Sequence, residues 1–308
     1  MTDSGYHAPV LGPETVAVLS PAAGALIVDG TVGGGGHSLM LLEACTDCRI
    51  LAVDRDPEAL AEAGRRLQDY RSRVRFIEAR FDEFGEDLEV RDRGVDGILL
   101  DLGVSSHQID EDGRGFTFRA GAPLDMRMSG EGRTAADLLN EESEEEIARI
   151  FYQYGEDRRS RAIAREVVRR REDKPMATSD DLVGILYFVY PSPPNSSDKA
   201  RIFQALRIAV NGELEALENV LQVALRTLNA GGVIAIIAYH SLEDRMVKHT
   251  FREWSRSCVC PPEVPFCHCR GKALGETITR KPIRADDAEV ERNPRARSAL
   301  LRAWRKAA

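Results

Sequence analysis

A run of glycines between a predicted strand and a predicted helix is the segment whose residue types most directly suggest chemistry. The run is DGTVGGGGHS, from Asp29 to Ser38. Glycines let backbone N–H groups approach a ligand closely, and a following helix N-terminus adds positive potential. An ordinary strand-to-helix turn is the alternative, but four consecutive glycines cost more backbone entropy than a turn requires. The segment therefore predicts a ligand-binding loop.

The spacing of these glycines argues against one common ligand class. A dinucleotide fingerprint requires Gly-x-Gly-x-x-Gly, and counted from Gly33 its last position is Ser38. Asp29 followed by Gly33 and Gly35 instead resembles motif I of class I S-adenosylmethionine (AdoMet) methyltransferases. The next predicted strand ends at Asp54, where a carboxylate can accept both hydroxyls of a ribose.

Three more side chains follow predicted strands or begin a predicted helix. Asp56 is assigned to cap the helix that begins at Pro57. Phe81 follows the third strand, where it either packs on an adenine ring or belongs to the core, and the residues alone favour neither. Asp101 ends the fourth strand, at the edge where open α/β sheets carry out chemistry.

The elements that must position these residues alternate between strand and helix in the first third of the chain. Buried strands are predicted at 25–28, 50–53, 74–77 and 97–100, with helices at 38–43 and from 57 onward. This alternation predicts a parallel doubly wound sheet. Almost no strand signal follows until a buried strand at 231–238. We therefore expect one α/β domain, residues 1–106 and 211–308, interrupted by an inserted helical domain at 107–210, with a role in RNA recognition.

Local signals subdivide this insertion. The spacing from Thr134 to Asp137 predicts a weak helix cap, and Ser143 to Glu146 predicts a better one. Helices are predicted at 179–190 and 200–228, separated by the proline-rich residues 191–194.

Several motifs together resemble one protein family. They are DGTVGGGGHS, LAVDRDP, DGILLDLGVSSHQID, RGFTF, PLDMRM, YHSLEDR and NPRARSA. In order and spacing, from His7 to Arg302, the chain resembles the bacterial small-subunit ribosomal RNA cytosine-N4 methyltransferases, the RsmH/MraW family. The resemblance implies a class I AdoMet-dependent methyltransferase (Rossmann-like) fold and methyl transfer to N4 of one cytosine in the decoding region of 16S rRNA. It also implies that AdoMet is bound by Gly35, Gly36, His37, Asp54, Phe81, Asp101 and Gln108.

Methyl transfer to cytosine N4 needs an activating group, because the N4 lone pair is delocalised into the ring. Many amino methyltransferases carry Asp/Asn-Pro-Pro-aromatic after strand four, whereas this chain has DLGVSS beginning at Asp101. Asp101 therefore either orients N4 or binds the amino end of AdoMet. His240, after the fifth strand, is a second catalytic candidate as a proton acceptor near pH 7, although residues 241–244 are also typical of a helix start. Tyr239 is a candidate to stack on the base.

The charge of the chain is acidic overall but unevenly distributed. The 308 residues include 42 Lys and Arg against 50 Asp and Glu, a net charge of −8, which argues against nonspecific binding to nucleic acid. Basic residues nevertheless exceed acidic ones by five in each of two segments, 158–174 and 280–306. Such concentrated charge suits a phosphate-binding surface, so we expect a structured partner, 16S rRNA within the small ribosomal subunit. Without a membrane span or signal-peptide pattern, we expect a cytoplasmic protein with no membrane partner.

A late cluster of cysteines leaves two interpretations. Cys258, Cys260, Cys267 and Cys269 form two Cys-x-Cys pairs, which either hold zinc or are reduced thiols. Because Cys-x-Cys is less usual for zinc than Cys-x-x-Cys, we assign no metal. Two other functions remain open: a non-catalytic AdoMet-binding ribosome assembly factor, and a DNA amino-methyltransferase, which the missing Pro-Pro-aromatic motif disfavours.

Overall fold

A seven-stranded sheet organises the first of two units of the chain. The computed structural model describes residues 9–104, 111–261, 266 and 268–308. The first unit extends to Gly103 and resumes at Glu215, while the second unit is Val104–Leu214. Among the described residues, no helix is long and apolar enough to cross a membrane.

Strands and helices alternate along the first unit. Before the insertion they are α1 (Gly12–Leu19), β1 (Leu26–Asp29), α2 (Gly36–Ala44), β2 (Arg49–Asp54), α3 (Pro57–Arg66), β3 (Val74–Glu78), α4 (Leu88–Arg93) and β4 (Val95–Asp101). After it they are α10 (Glu213–Thr227), β5 (Leu228–Ala238), α11 (Ser241–Trp254), β6 (Gly275–Thr277), α12 (Asp287–Arg292) and β7 (Leu300–Lys306). Short 3₁₀ helices lie at Gln68–Arg73, Phe84–Glu86, Asp112–Arg114 and Pro294–Ser298.

The sheet has the order β3-β2-β1-β4-β5-β7-β6. Strands β1 to β5 pair in parallel, and β7 runs antiparallel to both β5 and β6. Both faces are covered, because Val233, Ala235 and Ile237 of β5 pack in one apolar cluster while Ile234 and Ile236 pack in another. The predicted α/β, Rossmann-like fold class is confirmed, with a helical insertion following β4.

The strand ends are where the observed sheet departs from the predicted one. Strand β5 begins at Leu228 rather than at residue 231, and β4 covers Val95–Asp101. Asp56 caps α3 as predicted, since its side chain accepts a hydrogen bond of 3.1 Å from the Glu58 N–H. This cap was predictable from the local sequence, whereas the strand lengths were not.

The second unit is helical and has its own core. Its helices are α5 (Ala135–Glu141), α6 (Glu144–Gln153), α7 (Ser160–Arg171), α8 (Ser179–Val189) and α9 (Ser196–Asn211). Leu139, Phe151, Ile163, Leu186 and Leu206 are among its fully buried side chains, all in one cluster. Such a core stabilises the helices by tertiary packing.

One predicted helix is two helices in the structure. The stretch predicted at 200–228 is broken at Gly212, whose φ of 60° ends α9 in the left-handed region, and α10 starts at Glu213. Glycine adopts this conformation without the steric penalty of a Cβ, so the break is encoded locally. The prediction of a single helix was wrong because it followed apolar periodicity across a C-terminal cap.

Candidate functional site

Carboxylates stand at the ends of neighbouring parallel strands in the first unit. Asp29, Asp54 and Asp101 are the last residues of β1, β2 and β4, and Tyr239 follows the end of β5. Because these strands are parallel neighbours, their carboxyl ends share one edge of the sheet. Three carboxylate side chains and one tyrosine therefore lie at the sheet edge that was predicted to bind a ligand.

The loop after β1 is held against the neighbouring strands by backbone hydrogen bonds. Gly30 N–H donates to the Leu99 carbonyl (2.9 Å), and Val32 N–H donates to the Val53 carbonyl (3.0 Å). Gly33, with a φ of 50°, donates its N–H to Asp54 Oδ2 at 2.9 Å. The loop is thus tied to both flanking strands before any ligand is considered.

Gly35 is required by the fold itself. Its φ is 79°, and a Cβ at this position would lie 3.3 Å from Ala63 Cα and from the Leu67 side chain. A Cβ on Gly36 would similarly lie 3.2 Å from the Pro9 ring. The glycines therefore allow the loop and α2 to pack closely against α3 and the described N-terminal residues, whatever contacts they make with a ligand.

Asp54 combines partial burial with unused acceptor capacity. Its Oδ2 accepts the Gly33 N–H, and its Oδ1 accepts the Asp56 N–H at 3.0 Å. Each carboxylate oxygen has two lone-pair positions, so the hydrogen bonds within the described part of the chain leave one on each oxygen for another donor. Burial raises the pKa of Asp54 to about 6, while the two N–H bonds oppose that rise. Hydroxyl donors from a ribose would stabilise its charged form.

Asp101 is fixed by contacts from three directions. Its backbone N–H donates to Thr31 Oγ1 (2.6 Å), and the Tyr239 hydroxyl donates to its Oδ1 (2.8 Å). His37 Nδ1 lies 3.7 Å from its Oδ2, and 23% of the Asp101 side chain remains exposed. Burial raises the pKa of Asp101 to about 6, against the lowering effects of His37 and of the Tyr239 hydrogen bond. The carboxyl is positioned yet accessible.

The backbone of Val10, in the N-terminal part of the chain, orients the His37 ring. Its Nε2 lies 2.9 Å from the Val10 carbonyl oxygen, which can only accept a hydrogen bond, so Nε2 carries a proton. Nδ1 is consequently the atom directed at Asp101. The ring is 7% exposed. His37 therefore lies next to Asp101 as a largely buried neighbour.

Asp29 has a structural role in the loop. Its side chain is 1% exposed and accepts hydrogen bonds from Ser38 Oγ (2.6 Å) and from the Thr31 N–H (3.3 Å). Burial raises its pKa, although the Ser38 bond opposes the rise. Asp29 therefore connects the start of the loop to the first turn of α2.

His240 caps α11. Its Nδ1 accepts the Glu243 N–H at 3.4 Å, while Glu243 Oε2 accepts the N–H groups of Tyr239 (2.9 Å) and His240 (3.3 Å). The helix start predicted as an alternative is present, since α11 begins at Ser241. The His240 side chain is 8% exposed and its Nε2 lies 3.1 Å from Glu243 Oε1. This engagement with Glu243 makes Asp101 the stronger catalytic candidate.

Two other residues were predicted to bind the cofactor. Phe81 packs, partly buried, against the apolar cluster that contains Leu100, close to the Cα of Gly30. This placement agrees with a core role and leaves an adenine contact as a prediction. Gln108 lies outside the described residues.

The donor and acceptor groups at this edge fit AdoMet. The free lone pairs of Asp54 match a ribose diol, and the accessible carboxyl of Asp101 matches a cationic or N–H-bearing group. Two hydrogen bonds of Asp101 were not predicted from sequence: the Tyr239 hydroxyl donates to its carboxylate, and its backbone N–H donates to Thr31 Oγ1. One signal was available: adjacent parallel strands β4 and β5 end together, with Asp101 paired to Ile237.

The whole chain is similar to known proteins. The family model described as the MraW methylase family matches residues 4–307. Ribosomal RNA small subunit methyltransferase H of Gemmatimonas aurantiaca is 50% identical over 305 residues, covering 98% of this chain and 96% of that protein. The protein of the same name from Heliobacterium mobile is 47% identical over 308 residues, covering 98% and 99%.

A solved structure was also found among the similar folds. It is an rRNA methylase from Streptococcus thermophilus, with a TM-score of 0.41 and 11% sequence identity, covering 96% of this chain and 94% of that one. The extent of the family match and the identity of the relatives decide the assignment: this chain belongs to the MraW methylase family.

Proposed function

We propose that this protein is an AdoMet-dependent methyltransferase that methylates the exocyclic N4 of one cytosine in 16S rRNA near the decoding site of the small ribosomal subunit. The observation that carries the proposal is the match of the MraW methylase family model to residues 4–307. Relatives at about half identity are named as methyltransferases of small-subunit ribosomal RNA. A substrate of this kind places the activity in the cytoplasm.

The cofactor role is distributed over the strand-end edge. AdoMet, when bound, supplies an electrophilic methyl group. Asp54 would accept the ribose hydroxyls, Gly35, Gly36 and His37 would line the loop, and Phe81 would contact the adenine. The support for this assignment is the pair of free lone pairs on Asp54 and the fixed loop beside it.

Asp101 is the residue that we assign to activate the acceptor. A carboxylate oxygen that accepts an N4–H bond increases electron density on N4 and directs its remaining lone pair. Tyr239 occupies Oδ1, so Oδ2 is the oxygen for the substrate N–H. His37, near Oδ2, favours the charged form of the carboxyl. Holding the base and methyl group in line supplies much of the remaining barrier reduction.

The test compares Asp101→Asn with Asp92→Asn, a matched change at an exposed residue of α4. Each protein is incubated with labelled AdoMet and with small subunits lacking the modification, and N4-methylcytosine is mapped by mass spectrometry. We expect Asp101→Asn to lose about a hundredfold or more in methylation rate and Asp92→Asn to match the original protein. Near-normal turnover by Asp101→Asn would overturn the role of Asp101. No methylcytosine with the original protein would favour the non-catalytic assembly factor.

The helical unit is the part that we assign to RNA recognition. Tyr187 and Phe188 at the end of α8 are 52% and 67% exposed. The Lys199 ammonium lies 5.2 Å from the Tyr187 ring centre, and the Arg170 guanidinium lies 5.7 Å from that of Phe188. Exposed aromatic rings next to cations suit unpaired bases and their phosphates.

Gly184 leaves room beside α8 for the Arg170 guanidinium. It lies one helical turn before Phe188 on α8, and a Cβ there would approach Arg170 Nη1 to 3.3 Å. The guanidinium therefore lies over the helix instead of extending into solvent. This part of the surface is charged and aromatic, of the kind on which nucleotide bases stack.

A further inference from the structure

Three cysteine thiols converge in the segment between α11 and β6. The Sγ atoms of Cys258, Cys260 and Cys269 all lie within 4.8 Å of one another. Cys267, the fourth cysteine of the cluster, lies outside the described residues. Cys258 and Cys260 are two positions apart, but Cys269 lies nine and eleven positions from them, so the fold brings the third thiol to this pair.

The distance between two of these sulfurs equals the distance expected between two thiolates that bind one metal ion. Sγ of Cys258 and Sγ of Cys269 are 3.8 Å apart. A disulfide would require about 2.05 Å. Two thiolates on one tetrahedral zinc, each about 2.3 Å from the ion, are separated by about 3.8 Å.

The three converging cysteines are more exposed than Cys45 and Cys48, the other two cysteines that the structure describes. Cys45 and Cys48 are 6% and 0% exposed, and both hydrogen-bond to backbone carbonyls as small core residues do. Cys258 is exposed, and Cys260 and Cys269 are half-buried. Core packing therefore explains the presence of Cys45 and Cys48, but it does not explain the three converging cysteines.

A backbone N–H group donates a hydrogen bond to one of the three converging sulfurs. The Val259 N–H donates to Cys269 Sγ at 3.4 Å. Such outer hydrogen bonds orient metal ligands and stabilise the thiolate form. The described residues between Ser255 and Leu274 form neither helix nor strand, so the segment has little regular hydrogen bonding to hold it.

We propose that Cys258, Cys260 and Cys269 bind one Zn²⁺ ion that fixes this segment to the end of α11. Thiolates are soft ligands that select zinc over Mg²⁺ or Ca²⁺. Each thiol releases its proton as it coordinates the ion. The anchoring points are close by, since Arg270 donates to the carbonyls of Glu253 and Arg256 and the Leu274 N–H donates to the carbonyl of Trp254. The ion would act on structure and not on the methyl-transfer step.

The experiment measures metal directly on the full-length protein purified without chelator. Elemental analysis should give about one zinc per chain. The double variant Cys258→Ser/Cys269→Ser should retain less than about a tenth of that zinc. The matched control Cys45→Ser/Cys48→Ser should keep the full amount. Zinc below about a tenth per chain in the original protein, or iron or copper in its place, would overturn the proposal.

A second measurement does not depend on the variants being folded. Replacement of the metal by Co²⁺ in the original protein should produce the visible bands of a tetrahedral cobalt site and the ultraviolet charge-transfer band of thiolate ligands. Chelation should increase hydrogen exchange at residues 255–274 while leaving exchange in β1 and β2 unchanged. An octahedral cobalt spectrum without thiolate bands would contradict the assigned ligands.

Discussion

The hydroxyl of Tyr239 is one of the groups that set the pKa of Asp101. Burial raises the pKa of Asp101 to about 6, and the Tyr239 hydrogen bond opposes that rise. If methylation needs the carboxylate, the rate falls as the pH drops through that pKa. Tyr239→Phe removes the donor, so the pKa should rise and the acidic limb of the pH profile should move upward. A hydrogen bond to a charged group contributes about 1.5–3 kcal/mol, which corresponds to a rise of about one to two in the pKa of Asp101 when the bond is lost.

Single-turnover methylation rates measured between pH 5 and 8 check this prediction. Tyr70→Phe serves as the control, because Tyr70 also packs partly buried on the sheet unit but lies in the Gln68–Arg73 turn. Its acidic limb should coincide with that of the original protein. An unchanged limb in Tyr239→Phe would show that Asp101 does not titrate in the rate-limiting step.

Residues at strand ends were predictable, but their partners were not. Asp54 and Asp101 could be placed at one edge because parallel strands end together, a rule that needs only the element pattern. The contact of His37 with Val10 joins residues 27 positions apart, and that of Tyr239 with Asp101 joins residues 138 apart. Such pairs depend on strand order and loop path, which periodicity does not encode.

At the scale of single helices, the reciprocal cap forms at the weaker of the two predicted N-terminal caps of the helical unit. Thr134 and Asp137 form a reciprocal capping box, with Asp137 N–H to Thr134 Oγ1 at 3.0 Å and Thr134 N–H to Asp137 Oδ2 at 2.8 Å. At α6, Ser143 accepts from the Glu146 N–H, but the Glu146 carboxylate pairs with Arg149. The prediction that Ser143 begins the better cap was wrong, because the Glu146 side chain pairs with Arg149 and does not return to the N-cap backbone.

Loss of the Thr134 hydroxyl should loosen α5. Thr134→Ala removes the acceptor for the Asp137 N–H, and an N-cap of this type contributes about 1 kcal/mol. The opening free energy of residues 135–141, measured by hydrogen exchange, should fall by about that amount. Thr134→Ser keeps the oxygen and should restore most of it. Equal protection in the Ala and Ser variants would contradict the capping role.

Across the whole molecule, many of the predicted basic residues are already engaged. Arg169 and Arg170 both bond Glu166, which lowers the pKa of that carboxyl to about 2, and Lys174 pairs with Asp181. In the second basic segment, Arg302 pairs with Asp244. Net charge counted along the sequence therefore overstates the charge available to a partner, because intramolecular pairing depends on which acids the fold brings near.

Arg158 and Arg161 are the residues that best test phosphate binding. Both are exposed; Arg158 lies two residues before the start of α7, and Arg161 lies in its first turn. Acidic residues at a helix start are favourable, so Arg158→Glu/Arg161→Glu should leave α7 folded. Arg169→Glu/Arg170→Glu instead places two acids in the last turn of α7, close to Glu166. Negative charges at a helix C-terminus and next to another carboxylate should destabilise the helix. The two double variants make the same change in net charge, but only Arg169→Glu/Arg170→Glu should destabilise the helix.

Binding of the 16S rRNA substrate as a function of salt separates these effects. For Arg158→Glu/Arg161→Glu, affinity should fall most at low salt, and the slope of log K against log salt should become shallower by about 0.7 for each phosphate that the variant no longer neutralises. Thermal unfolding should stay near that of the original protein. Arg169→Glu/Arg170→Glu should lower the unfolding temperature as well as the affinity. If Arg158→Glu/Arg161→Glu leaves the salt slope unchanged, the start of α7 binds no phosphate, and RNA recognition must rest on other cations of the chain.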